Sequence, residues 1–146
     1  MDHNSSFAIS AAGMALERTR VEVAALNLAN VHTTHKPGQL AYRPLHVVAQ
    51  AGGHDTFGAM VLSAGTVAAA MKPEFHVEAA GVEPRTVHEP GHPMADARGF
   101  VSYPGVDPAA EMMTLMSATR AYEANVAAMN TARALALKAL DIGGST

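Results

Sequence analysis

The sequence predicts an α+β protein: long N- and C-terminal helices pairing as a coiled-coil stem, with a small turn-rich β region between them. Three observations predict it. Residues 109–142 contain neither glycine nor proline. Residues 5–30, at the other end of the chain, repeat the same 3-4 spacing of apolar positions. Between them the breakers concentrate: five of the eight prolines fall between Gly81 and Pro108, so only short strands fit there. The expected divisions are a disordered N-terminus over 1–5, a helix over 6–30, a small β region with loops over 31–106, a second helix over 107–142 and a tail over 143–146.

The C-terminal helix carries its own punctuation. Asp107 is a good N-cap, and Pro108 follows at the first helical position, where a missing N–H is harmless. Gly143-Gly144 reads as a stop. Met112, Leu115, Thr119, Tyr122, Val126, Met129, Arg133, Ala136 and Leu140 form one stripe along it. At about 1.5 Å per residue the helix is about 50 Å long, more than a small compact domain accommodates, so it needs a partner helix. The N-terminal helix, capped by Ser5 or Ser6, offers Ile9, Ala12, Leu16, Thr19, Val23, Leu26 and Asn30. Periodicity alone also allows this shorter segment to be an ordinary amphipathic helix lying on a sheet.

The middle is read from its turns and alternations. Residues 31–41 have loop chemistry. Tyr42–Ala49 reads as a short strand whose first half Pro44 turns into an edge or an entry turn. Residues 51–55 read as a turn, and Val67–Met71 as strand or helix. Glu74–Glu78 alternates polar and apolar residues and is a better strand. Arg85–His88 and Phe100–Tyr103 are the short strands that the proline-rich stretch leaves room for.

Composition narrows the function. Thirty of the 146 residues are alanine, and 18 of those lie in the two terminal segments, so these helices gain burial only by close approach to other helices. A net charge of −3 with unclustered basic residues argues against nucleic acid or an anionic membrane surface as partner. Without cysteine there is neither disulfide nor thiolate chemistry. No apolar run approaches the ~18 residues of a membrane span, and the N-terminus lacks the basic and apolar regions of a cleaved secretory signal.

Catalytic signals are weak. His32 and His35 form H-x-x-H, and His88 and His92 are four apart, but Pro37, Pro90 and Gly91 place both pairs in loops rather than on a ligand-presenting helix face. There is no nucleophile elbow, P-loop or dinucleotide fingerprint. The reading is therefore a non-enzyme with no catalytic, cofactor-binding or metal residues and no cofactor, and a histidine-dependent metalloenzyme is the rival. Asn27, Asn30, Asn125 and Asn130 lie on or beside the apolar stripes, where a buried asparagine fixes helix register or partner number. The plainer reading of Asn27 and Asn30 is a fraying helix end.

These residues also carry a resemblance. Phe7–Leu16, then Arg20–Asn30 ending in Ala25-Leu26-Asn27-Leu28-Ala29-Asn30, resemble the opening of flagellar rod and hook proteins, whose signature is A-x-N-x-A-N. Tyr42-Arg43-Pro44-Leu45-His46-Val47-Val48, His88–Val101 and Met116–Val126 are similar to further motifs of the flagellar basal-body rod protein family, closest to its proximal-rod member. Residues 50–84 match no motif of the family, and Ala49 stands where it commonly has phenylalanine.

The resemblance implies a structural subunit of the bacterial flagellar basal-body rod. It implies terminal helices that pair within a subunit and build the inner rod, serving flagellum-dependent motility. It also implies export from the cytoplasm by the flagellar type III export apparatus without a cleaved signal peptide. Expected partners are other rod subunits and further copies of the chain, with no nucleic acid and no direct membrane insertion. Within the subunit, Ile9, Leu16, Val23 and Leu26 are expected to face Leu115, Tyr122, Val126 and Met129. The expected assembly interface comprises Ile9, Leu16, Val23, Leu26, Asn27, Asn30, Leu115, Tyr122, Asn125, Val126, Met129 and Asn130. The alternative is a non-polymerising helical adaptor that binds a single partner through the C-terminal helix.

Overall fold

The computed structural model describes residues 3–39, 41–51 and 73–144. In order it contains helix α1 (His3–Ala29), strands β1 (Leu45–Ala51), β2 (Pro73–Ala79), β3 (Arg85–His88) and β4 (Phe100–Tyr103), and helix α2 (Pro108–Gly144). The class is α+β. Of the turn expected over 51–55, Ala51 is instead the last residue of β1; residues 52–55 and the ambiguous segment Val67–Met71 lie outside the described residues.

α2 begins as its sequence dictates. The Asp107 carboxylate accepts from the Ala109 amide at 3.0 Å, and its carbonyl accepts the first helical bond from Glu111 at 3.0 Å. The helix runs 37 residues, through Gly143 and Gly144 rather than stopping before them. α1 starts at His3, ahead of the expected cap at Ser5 or Ser6. It ends without glycine. The Asn30 amide is shared between the Leu26 and Asn27 carbonyls, and Val31 and Thr33 close further turns onto Leu28 and Asn30.

Two small sheets follow. β1 pairs with β2. β3 and β4 occupy the two stretches bounded by prolines and glycines, and pair antiparallel from Arg85↔Tyr103 to His88↔Phe100. β4 is bonded on its other side too. Ser102 and His35 exchange both backbone hydrogen bonds at 3.0 Å, so the loop after α1 is fastened to the strand. Val101, inside this strand, has no exposed surface. β1 starts at Leu45, three residues after the expected Tyr42, because the chain before it is held by side chains described below.

The chain resolves into two compact units. One comprises Met1–Thr19, Ala49–His76 and Ala118–Thr146, and the other Arg20–Val48 and Val77–Ser117. In the first, the buried described side chains are Ser10, Glu17 and Ala118. In the second they include Val23, Ala24, Asn27, Val101 and Ser102. With so few bulky residues inside, contacts are made by close approach. A β-carbon on Gly13 would sit 2.9 Å from the Asn125 amide, and one on Gly105 would sit 2.5 Å from the Glu83 carbonyl.

Candidate assembly site

In the second unit the end of α1 meets the start of β1 and the first turn of α2 at one side chain. Asn27 is 1 % exposed. Its Nδ2 donates to the Leu45 carbonyl and to Glu111 Oε1, both at 2.8 Å. Its Oδ1 accepts from the Tyr42 hydroxyl at 2.8 Å and from the Leu45 amide at 2.9 Å. A carboxamide has two N–H donors and two acceptor lone pairs, so every bonding position is used. This is the only kind of environment in which a fully buried amide is not a liability. Tyr42 is held in turn. Its backbone amide donates to His35 Nε2 at 3.3 Å, and burial, followed by the nearby Glu111 carboxylate, pushes its phenol up from the usual tyrosine value. Beside the junction, Arg20, Val23, Ala24, Leu45, His46, Val47, Glu111 and Thr114 line a cleft of about 210 Å³.

A second built feature is the loop from His88 to Phe100. Asp96 Oδ1 accepts from the amides of Arg98 and Phe100 at 2.8 Å each, while Asp96's own amide donates to the Phe100 carbonyl. These bonds, the one to Phe100 first, hold the Asp96 carboxyl below the usual carboxylate range. Gly99 sits at φ +79°, and its lack of a β-carbon leaves room for the His88 ring and Pro90. The Tyr103 hydroxyl donates to Glu89 Oε2 at 2.9 Å, which pushes that phenol up. The histidines of this region serve the fold: His88 stacks at a tilt on Phe100, and His92 Nδ1 accepts from the Met94 amide. Among the described residues no three histidine, aspartate or glutamate side chains are placed to share a metal ion.

The residues expected at an interface fall into three groups. Val23 and Asn27 are buried. Leu16, Asn30, Leu115, Asn125, Val126 and Met129 are half-buried. Ile9 (41 %), Leu26 (51 %) and Tyr122 (39 %) are exposed, as is Asn130. Asn30 and Asn125 bond back to the carbonyls four residues earlier, Leu26 and Ala121. Thus Ile9, Leu26 and Tyr122, expected to face inward in the stem, face solvent in the single chain. Asn27 works within the chain, tying four segments together, rather than fraying a helix end. Sequence reasoning missed Glu111, Tyr42 and Gly13. Glu111 stands one residue ahead of the predicted stripe, and nothing in its spacing marks it as a partner for a residue 84 positions away. α2 further exposes Met112, Met113, Met116, Leu135, Leu137, Leu140 and Ile142.

The sequence profile of the family described as flagellar basal body rod FlgEFG protein C-terminal matches residues 97–142, which span β4 and nearly all of α2. The flagellar basal-body rod protein FlgC of Salmonella typhimurium is 39 % identical over 140 residues, covering 94 % of this chain and 95 % of the relative. The chain belongs to the FlgC family of flagellar basal-body rod proteins. The FlgC protein of Bacillus subtilis is 36 % identical over 146 residues, with 94 % and 96 % covered, and that of Aquifex aeolicus 28 % over 130. Membership in the FlgC family thus extends across the chain and well beyond the profile's C-terminal match. Among the described residues no helix is long and apolar enough to cross a membrane.

Proposed function

We propose that this chain is a structural subunit of the flagellar basal-body rod, assembling with other rod subunits and with its own copies through its terminal helices. The observation that carries the helical mechanism is the set of large apolar side chains that the end of α2 leaves in water: Leu135 and Ile142 on one face, Leu137 and Leu140 on the opposite one, each more than half exposed. A lone protein rarely keeps so many; packing against neighbouring helices removes them from solvent. In this reading α1 and α2 pair as a coiled-coil stem in the assembled rod, the β region lies outside it, and the subunit reaches the periplasm through the flagellar type III export apparatus without a cleaved signal. It acts by association and needs no cofactor. A monomeric adaptor leaves Ile9 and Leu26, exposed on α1, without a role.

The test is Val126→Asp, which places a charge on the half-buried face of α2. Cells carrying it are expected to be non-motile and to lack completed rods, while the purified chain keeps its β3–β4 amide signals. Wild-type motility would overturn the reading. Deleting residues 1–19, which leaves the Asn27 junction in place, separates rod subunit from adaptor, because only the rod reading requires the N-terminal segment for both export and assembly.

A further inference from the structure

The face that α1 buries is offset by one residue from its apolar stripe. The stripe runs through Ile9, Leu16, Val23 and Leu26. The buried positions are Ser10 (8 %), Glu17 (9 %), Ala24 (1 %) and Asn27 (1 %), with Val23 at the shared edge. One residue subtends about 100° on an α-helix, so α1 is turned away from the setting that burial of apolar surface favours. The consequence is visible at Leu26, left 51 % exposed while the polar residue next to it is enclosed.

Asn27 supplies what apolar burial does not. Its four hydrogen bonds reach the Tyr42 hydroxyl, both backbone groups of Leu45 and the Glu111 carboxylate. Turning α1 by one residue breaks all four together. It also leaves the buried Asn27 amide unpaired and strands its half-buried partners at the start of β1 and the first turn of α2. An unmade bond in a buried place is far more damaging than a made one is helpful. We infer that Asn27 is a rotational latch, holding the end of α1 in the setting that keeps Leu26 directed outward. The use of Leu26 as a contact for a neighbouring subunit rests on the rod reading above; the latch itself does not.

The natural chain has no cysteine, so single introduced thiols report on each face without interference. In the full-length chain, Ala24→Cys probes the enclosed face and Leu26→Cys the outward one, each read as a rate of maleimide labelling. With Asn27 present, Ala24→Cys is expected to react at least about tenfold more slowly than Leu26→Cys, since it reacts only through transient opening. In an Asn27→Leu background the two rates are expected to cross, Ala24→Cys gaining about tenfold and Leu26→Cys losing a comparable factor. Tyr42→Phe removes one donor and keeps the other partners. It is expected to move both rates in the same directions by less, and it keeps the question open to test if Asn27→Leu does not fold. Acceleration at both positions in Tyr42→Phe or Asn27→Leu means that the helix end unfolds rather than turns. No change at either position means that packing alone sets the face. Either result overturns the latch. Because no assembly is measured, failure here leaves the rod reading standing, and failure of the motility test leaves the latch standing.

Discussion

Asp96 holds the β3–β4 loop with one carboxylate oxygen, and that dependence makes the loop acid-sensitive. The carboxyl is held below the usual range by the Phe100 amide first and by the Arg98 amide and guanidinium after it. A depressed folded-state pKa contributes stability that is present above the unfolded value, about 3.9, and is lost as pH falls through the folded value. The Arg98 and Phe100 amides are therefore expected to lose exchange protection below about pH 4, measured by NMR. Asp96→Asn keeps an acceptor oxygen at the same place and should flatten that response. Gly105 makes the other residue-scale case. A β-carbon there meets the Glu83 carbonyl and Val82 Cγ1 at 2.5 Å, so backbone has to move. Gly105→Ala is expected to destabilise by about 2 kcal/mol in urea unfolding, in the range of other overpacked sites. Gly91, with open space around it, takes alanine at no cost or with a gain of a few tenths to about 1 kcal/mol from the unfolded chain. Equal effects at the two sites would contradict the close approach.

At the scale of elements, local chemistry decides what the sequence discloses. β3 and β4 are legible to the residue because prolines and glycines bound them on both sides and leave no other place for a strand. β2 extends one residue at each end beyond Glu74–Glu78. β1 is legible as a strand but not in its start, because Tyr42 is drawn into a hydrogen bond to a residue fifteen positions earlier, which no local pattern announces. The helices are legible in existence and in the α2 cap. Their buried faces are not, because hydropathy marks bulky residues, whereas close helix approach selects small ones such as Gly13 and Ala118. Gly13 tests that approach. Gly13→Ala is expected to fall within about 1 kcal/mol of neutral: improved helix propensity offsets loss of the Asn125 bond to Ala121 as that side chain swings aside. Gly13→Ile outruns what one swinging side chain can yield and is expected to cost about 2–3 kcal/mol. Thermal or urea unfolding of both variants checks the pair.

For the whole molecule, the composition points the same way as the exposed surface. An alanine-rich chain with few bulky buried side chains among its described residues gains little by folding alone, so more of its apolar surface is left for association. Sedimentation velocity over a concentration series is expected to show self-association that continues past a dimer. Combining Leu137→Asp and Leu140→Asp is expected to suppress it, since each aspartate removes a side chain worth about 1.5–3 kcal/mol on burial. A small closed oligomer indifferent to both substitutions would argue for a different mode of association. The family was legible in the sequence from motifs near both ends. The junction at Asn27 was not, since its partners are scattered between positions 42 and 111 and meet only in the folded chain.

That junction also has a mechanical consequence. Asn27 and Glu111 are 84 positions apart along the chain but joined across a single 2.8 Å contact. A twist entering through α1 reaches α2 there directly, without being dissipated through the loops and paired strands between them. The same amide grips Leu45, so the strand that starts at that residue is carried round with both helices. In a subunit of a rod, such a group acts like a key in a keyway: small, buried, and shared by every part it joins.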